Sequence, residues 1–274
     1  MHITLCGCGW LGQPLATALL LQGHTLTATK RSQEGCDQLN IAGISCVPFD
    51  IYQPASQQSL SAMFPCDVLV INIPPGRKQM ERERFICAMQ ALIEKAHQGN
   101  ATNILFISTT AVYGGLTGQI TEDVRPQPDT DSAIAHVSIE AYLRQHYPAD
   151  ATILRLAGLV GGKRHPINFL AGKTDLANPH QVVNLVHRDD VIQAITHILT
   201  LKIWGETLHL SCTEHPSRQD YYQYTAQSMG LPGPEFQLAD KTLTGKWIDA
   251  SQTLTKLKMQ LLYPSPYDFP GVQG

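Results

Sequence analysis

Residues 5–12 read LCGCGWLG, a G-x-G-x-x-G spacing carried by Gly7, Gly9 and Gly12. The run before it, HITLC at 2–6, is strand-like, and the run after it puts Leu11, Leu15, Ala18 and Leu19 on one side of a helix. Glycines at such a strand-to-helix junction have separable roles. The first permits a tight turn and the second lets backbone approach a phosphate. The third lets the helix pack closely on the strand, so that its N-terminal amides bear on negative charge. The expectation is a turn that grips the diphosphate of a dinucleotide through Gly7, Gly9, Trp10, Leu11 and Gly12. The plainer alternative is a turn of structural glycines.

Outward from this loop, β-rich runs recur at residues 25–29 (TLTAT), 44–49 (ISCVPF), 67–73 (DVLVINI), 103–108 (NILFIS) and 152–156 (TILRL). Helix-period stretches separate them, a pattern that predicts a parallel sheet. Between the fourth and fifth runs, Phe85, Met89, Leu92, Ile93 and Ala96 share one helical face, with Arg77 to Arg84 as a charged first turn. Val191, Ile195, Ile198 and Leu199 form a second such stripe, followed by the strand-like ETLHLSC at 206–212. From about Thr213, Tyr-rich and Pro-rich segments replace the alternation and read as a small terminal lobe. The predicted fold is α/β, a Rossmann-type doubly wound parallel sheet with a small C-terminal substrate lobe. Residues 1–160 with 183–212 would form the NAD(P)-binding domain, and 161–182 with 213–274 the lobe.

The end of the second strand selects among dinucleotides. An NAD-binding fold usually offers a carboxylate there to the ribose hydroxyls, whereas this chain has Thr29, Lys30, Arg31 and Ser32, with no acid before Glu34. A guanidinium fork and a hydroxyl suit a 2′-phosphate, which an acid would repel. NADP(H) is therefore expected over NAD(H), against the plain reading that Lys30 and Arg31 only solvate a loop.

A formal charge of −3 with no Lys/Arg run longer than two gives no electrostatic groove for nucleic acid. The apolar runs are far shorter than the ~20 residues that cross a bilayer, and the start MHITLCGCG has no export-signal pattern. A small-molecule partner, with neither nucleic acid nor membrane, is expected. Seven scattered cysteines suit a reducing cytoplasm better than a disulfide framework. None is spaced as a zinc ligand set, so no metal is expected.

FISTTAVYGG at 106–115, LRLAGLVGG at 154–162 and VNLVHRDDVIQAI at 183–195 complete the picture. With the opening loop and Asp50, they resemble the extended short-chain dehydrogenase/reductase superfamily, the NAD-dependent epimerase/dehydratase group, across nearly the whole chain. More narrowly, GWLGQPLA, LRLAGLVGG, RHP, AGKT and VNLVH look like the YeeZ-type bacterial branch. The resemblance implies a dinucleotide at the carboxyl edge of the sheet, with Asp50 and Ile51 near the adenine and Ile73 and Pro74 of NIPPG beside the cofactor. It also implies a Ser/Thr that positions substrate, a Tyr that exchanges the proton, and a Lys four residues on that lowers the Tyr pKa. Relatives often pair through two helices, which makes a homodimer an open expectation.

Thr109 takes the Ser/Thr position. The Tyr-x-x-x-Lys pair belongs on the helix starting near Asp131, where DSAIAHVSIEAYLRQ puts Ser132 and His136 at the Tyr and Lys positions. A serine has no acidic phenol, and a histidine is mostly neutral at pH 7. Candidate substitutes are Tyr113 and His136 for catalysis, with Arg164, His165 and His187 for substrate. Each has a bland alternative: a packed aromatic for Tyr113, an ordinary hydrogen-bonded histidine for His136, a helix start for HRDD at 187–190. KRHP at 163–166 follows Gly161 and Gly162 at a strand's carboxyl end and is the candidate contact for an anionic substrate. Two uses of the nucleotide are open. One is an oxidoreductase or epimerase-like enzyme on a small or sugar-nucleotide-like substrate, and the other a non-catalytic NADP(H) sensor or regulator.

Overall fold

The computed structural model describes residues 1–53, 56–76 and 81–270. The chain opens with β1 (His2–Cys6), α1 (Gly12–Leu21), β2 (Thr25–Lys30), α2 (Gln33–Ile41), β3 (Cys46–Pro48) and α3 (Gln57–Met63). It continues through β4 (Val68–Ile71), α4 (Arg82–Gln98), β5 (Asn103–Thr109), β6 (Gly118–Ile120), α5 (Asp131–His146) and β7 (Ala151–Leu156). Then come β8 (Gly158–Val160), β9 (Leu185–His187), α6 (Arg188–Leu201), β10 (Thr207–Leu210), α7 (Arg218–Ser228), β11 (Lys246–Ile248) and α8 (Ser251–Leu257).

Seven strands form one parallel sheet in the order β10-β7-β5-β4-β1-β2-β3. β1 lies inside the sheet, in register with β2 from His2↔Thr25 and with β4 from Ile3↔Val68. Its apolar residues Ile3, Leu5 and Cys6 are all fully buried, as expected of a strand covered by helices on both faces. After β3 the chain returns to lay β4 on the other side of β1. The order thus reverses between β1 and β4, and the glycine loop leaves the carboxyl end of β1 at that reversal, where doubly wound sheets bind ligands.

Packing divides the chain into two units. The first is Met1–Val112, Pro128–Leu154 and Ile198–Thr207; the second is Tyr113–Gln127, Arg155–His197 and Leu208–Gly274. In the first, Phe85, Met89, Leu92, Ile93 and Ala96 of α4 are all buried, in one cluster with Ile139 and Leu143 of α5. Arg82 also bonds Asp131 across the two helix starts at 2.9 Å. Residues 77–80 of the expected charged first turn, Arg77 among them, lie outside the described residues. The second unit has its own core, including Ile167, Leu185, Tyr221 and Phe269, and two small parallel sheets, β8 with β9 and β6 with β11. β9 pairs with β8 outside the seven-stranded sheet, and residues 183–197 fall in the second unit. No helix among the described residues is long and apolar enough to cross a membrane.

Candidate nucleotide-binding site

Gly7 takes φ +93°, and a Cβ there would sit 2.3 Å from the carbonyl oxygen of Asn72. Only glycine fits. Its N–H donates to Thr29 Oγ1 at 3.1 Å, and its carbonyl accepts from Asn72 Nδ2 at 3.0 Å and from Gly9 N at 2.8 Å. A Cβ on Gly12 would lie 2.7 Å from the Gly7 carbonyl, so the helix start closes directly on the turn. Gly9 differs. A Cβ there meets no atom within 4 Å among the described residues, so the fold itself does not require glycine at that position. The amides of Leu11 and Gly12 have no acceptor among the described residues, and Pro14, in the first turn of α1, brings no N–H where a helix has no internal acceptor. A turn with open space over Gly9 and two undirected amides fits a diphosphate.

At the end of β2, Lys30 is half-buried and Arg31 exposed. Neither is ion-paired among the described residues. Ser32 caps α2, accepting from Gly35 N at 3.2 Å, so the positive end of a nine-residue helix starts beside the two cations. Asp50 turns the chain after β3, its Oδ1 accepting from Tyr52 N at 3.0 Å, with Ile51 half-buried beside it. Ile73 is half-buried and Pro74 exposed, just after the Asn72 that braces Gly7.

Thr109 ends β5, half-buried, with Oγ1 accepting from Ala111 N at 3.1 Å and its hydroxyl proton left to donate. Its neighbour Ser108 donates to Glu140 at 2.7 Å, and Arg144 holds the other oxygen of that buried carboxylate at 3.3 Å. His136 is 6% exposed. It donates from Nδ1 to the Ser132 carbonyl at 2.7 Å and stacks on Phe106 with ring centroids 5.7 Å apart. Burial lowers its pKa against weaker opposing effects from Ser132 and Glu140, so the ring is neutral and presents Nε2 as an acceptor.

Tyr113 requires a correction. It is wholly buried in the second unit, its phenol oxygen 2.6 Å from His209 Nε2 and 2.5 Å from Arg155 Nη1. The arginine also lies over its ring at 5.1 Å. The hydroxyl is committed to an interior network, which is the packed-aromatic alternative and leaves no phenol to exchange protons with a substrate. His165 is corrected likewise. Its Nε2 bonds Tyr221 Oη at 2.8 Å and its Nδ1 accepts from Ile167 N at 3.1 Å, so both nitrogens hold the second unit together. Burial pushes its pKa down to about 4.

Lys163 and Arg164 are exposed on the turn at Gly161 and Gly162. A Cβ on Gly162 would be 3.9 Å from Arg188 Nη1, so a third cation reaches the same turn. His187 is 2% exposed, its ring enclosed by Tyr263 at 4.5 Å and Phe269 at 5.4 Å, and its Nδ1 accepts from Asp189 N. As a substrate contact it is therefore shielded by aromatic rings.

Asp189 and Asp190 lie in the first turn of α6 as expected, but Asp190 is wholly buried. Its Oδ1 accepts from Leu262 N at 2.6 Å while Oδ2 has no hydrogen-bond partner among the described residues. Burial outweighs the backbone N–H donors and lifts its pKa from 3.8 to about 6. A carboxyl whose folded pKa is raised contributes stability below the unfolded pKa and loses it as pH rises through the folded one. Asp190→Asn keeps the acceptor for Leu262 and removes the charge. The variant is expected to gain stability relative to the parent between pH 4 and 7, by on the order of 2 kcal/mol at the plateau. Thermal melts of both proteins across that range check it; a difference independent of pH would contradict the assignment.

A glycine-rich strand-to-helix turn at the reversal point of a parallel sheet defines a Rossmann-type nucleotide-binding fold. The chain belongs to the NAD dependent epimerase/dehydratase family, which it matches over residues 3–207. It is 34% identical over 270 residues to "Protein YeeZ" of Escherichia coli (strain K12), with 98% of each chain covered. A UDP-glucuronic acid 4-epimerase from Bacillus cereus, solved in complex with NAD, shares the fold with a TM-score of 0.81 at 20% identity, covering 100% of this chain and 95% of that one. A putative NAD-dependent epimerase/dehydratase from Methylobacillus flagellatus gives 0.79 at 22% identity, with 97% and 94% covered.

Proposed function

We propose that this chain binds NADP(H) and acts as an atypical oxidoreductase or epimerase/dehydratase-like enzyme on a small or sugar-nucleotide-like substrate. What carries the reading is the glycine turn: open space over Gly9 and, among the described residues, no acceptor for the amides of Leu11 and Gly12 and no ion-pair partner for Lys30 and Arg31 at the next strand end. Trp10 and Ser32 complete the proposed contacts, with Asp50 and Ile51 toward the adenine and Ile73 and Pro74 alongside. The sugar-nucleotide class is supported by the UDP-glucuronic acid epimerase that shares the fold.

A bound nicotinamide supplies reversible hydride chemistry, and the protein's part is to hold and orient it. Thr109 would donate a hydrogen bond from its hydroxyl to a substrate oxygen. His136, with its proton fixed on Nδ1 by Ser132, accepts at Nε2. In the second unit, the exposed Lys163 and Arg164 offer a contact for an anionic group. A proton taken up at Nε2 would make His136 an imidazolium, a charge that burial opposes and the nearby Glu140 favours. The seven free cysteines support a reducing cytoplasm, and pairing as a homodimer is part of the same proposal.

A second reading has its own observation. Ser132 and His136 stand where the resemblance expects the Tyr and Lys, and Tyr113 is held in an interior network, so the chain would use NADP(H) to shift its own conformation as a sensor. The two readings separate in one experiment. The coenzyme-loaded protein is offered sugar nucleotides and small carbonyl compounds, with Thr109→Ala and His136→Ala alongside. Turnover that falls at least ~10-fold in either variant with coenzyme affinity unchanged supports the enzyme. No turnover on any substrate, with coenzyme-dependent protection of the chain from proteolysis, supports the sensor.

A further inference from the structure

Three buried thiols, Cys8, Cys36 and Cys46, sit around the end of β2. Cys36 is on the buried side of α2, and Cys46 opens β3 opposite Ala28 of β2. Cys8 follows Gly7 and is tied by its N–H to the Thr29 carbonyl at 3.0 Å. The sulfurs of Cys36 and Cys46 are 2.7 Å apart. A disulfide requires about 2.05 Å, so an approach of well under one ångström separates contact from bond.

The pair is coupled to the end of β2. Gly35 precedes Cys36, and a Cβ on it would lie 3.2 Å from Ser32 Oγ and 3.4 Å from both Cβ and Cδ of Lys30. The Cys36 amide itself donates to the Ser32 carbonyl at 3.2 Å. The first turn of α2 therefore rests on the stem of Lys30 and the cap of Ser32. Drawing Cys36 toward β3 must shift the seat of both.

We propose that Cys36 and Cys46 form an oxidation site that closes as a disulfide under hydrogen peroxide, and that closure weakens binding of a 2′-phosphorylated coenzyme. The second half rests on the NADP(H) reading above. Cys46, the more accessible of the two at 8% exposure against 0%, attacks peroxide to give a sulfenic acid and one water. The Cys36 thiol then displaces a second water to form the S–S bond. Each sulfur loses one electron and the peroxide is reduced by two. Burial holds the Cys46 thiol largely protonated, so closure is slow and answers sustained oxidation instead of a brief pulse. The exposed Cys87 serves as an alkylation control.

The test uses the full chain, with and without peroxide, alkylated after denaturation and digested by a protease that cuts at Asp37, which lies between the two cysteines. A Cys36–Cys46 cross-linked peptide, absent from Cys46→Ser and lost on reduction, is expected. In titrations, the oxidised protein should bind NADPH about tenfold more weakly than the reduced protein, with NADH affinity unchanged. No cross-link, or one between other cysteines, overturns the site. A cross-link with unchanged NADPH affinity overturns the coupling. If the reduced protein binds neither coenzyme, the NADP(H) reading falls and the coupling with it, while the cross-linked peptide still decides the oxidation site.

Discussion

Gly9→Val is expected to fold as the parent does and to bind pyridine dinucleotides on the order of 100-fold more weakly, equivalent to ~2.7 kcal/mol. The argument rests on a contrast within one turn. Gly7 is glycine because of the protein: its φ is +93° and its Cβ would strike the Asn72 carbonyl at 2.3 Å. Gly12 is glycine for the same kind of reason, with its Cβ 2.7 Å from the Gly7 carbonyl. Gly9 has no such neighbour, so a side chain there would occupy only open space, which on the proposed reading is the path of a diphosphate to the Leu11 and Gly12 amides. Gly7→Ala, by comparison, should unfold more readily by about 2–4 kcal/mol and lose binding as a consequence. Melting temperatures and coenzyme titrations of both variants check the pair. If Gly9→Val bound as well as the parent, the glycines would be structural only.

Removing the cations at the end of β2 should change selectivity more than affinity as such. Arg31→Ala with Lys30→Ala is expected to weaken NADPH binding by roughly 10- to 100-fold, the worth of one or two charge-assisted hydrogen bonds, while leaving NADH binding nearly unchanged. Neither cation has a carboxylate partner among the described residues, so no internal ion pair is lost with them. The selective loss should also flatten the salt dependence of NADPH binding, since screening acts on exposed charge. Titrations of both coenzymes at two salt concentrations read the effect. Equal weakening of NADH and NADPH would point to a packing role for the Lys30 stem against Gly35.

The legible parts of this protein are those encoded within one or two turns of chain. The glycine spacing, the strand before it and the stripe after it sit within twenty residues, and the turn they describe is the one that forms. The apolar face of α4 was legible for the same reason, since every one of its stripe residues is buried. What braces the glycine turn was not legible. Thr29 and Asn72 reach Gly7 from 22 and 65 residues away, and a threonine at a strand end or an asparagine after one carries no local mark of that task. Distance also hid the commitments of Tyr113 and His165, whose partners His209 and Tyr221 lie 96 and 56 residues along. Both looked available because their sequence neighbours are a turn and a basic loop. The strands β6, β8, β9 and β11 are three residues each, too short to show a period.

The central claim is that the first strand-to-helix turn holds the diphosphate of a pyridine coenzyme and that the neighbouring cations favour the phosphorylated ribose. Calorimetric titration of the purified, reduced protein with NADPH and then NADH measures it directly. The account predicts saturable one-to-one binding of both, with NADPH at least ~10-fold tighter at moderate salt. Folded protein that takes up neither coenzyme, or that prefers NADH, would contradict it.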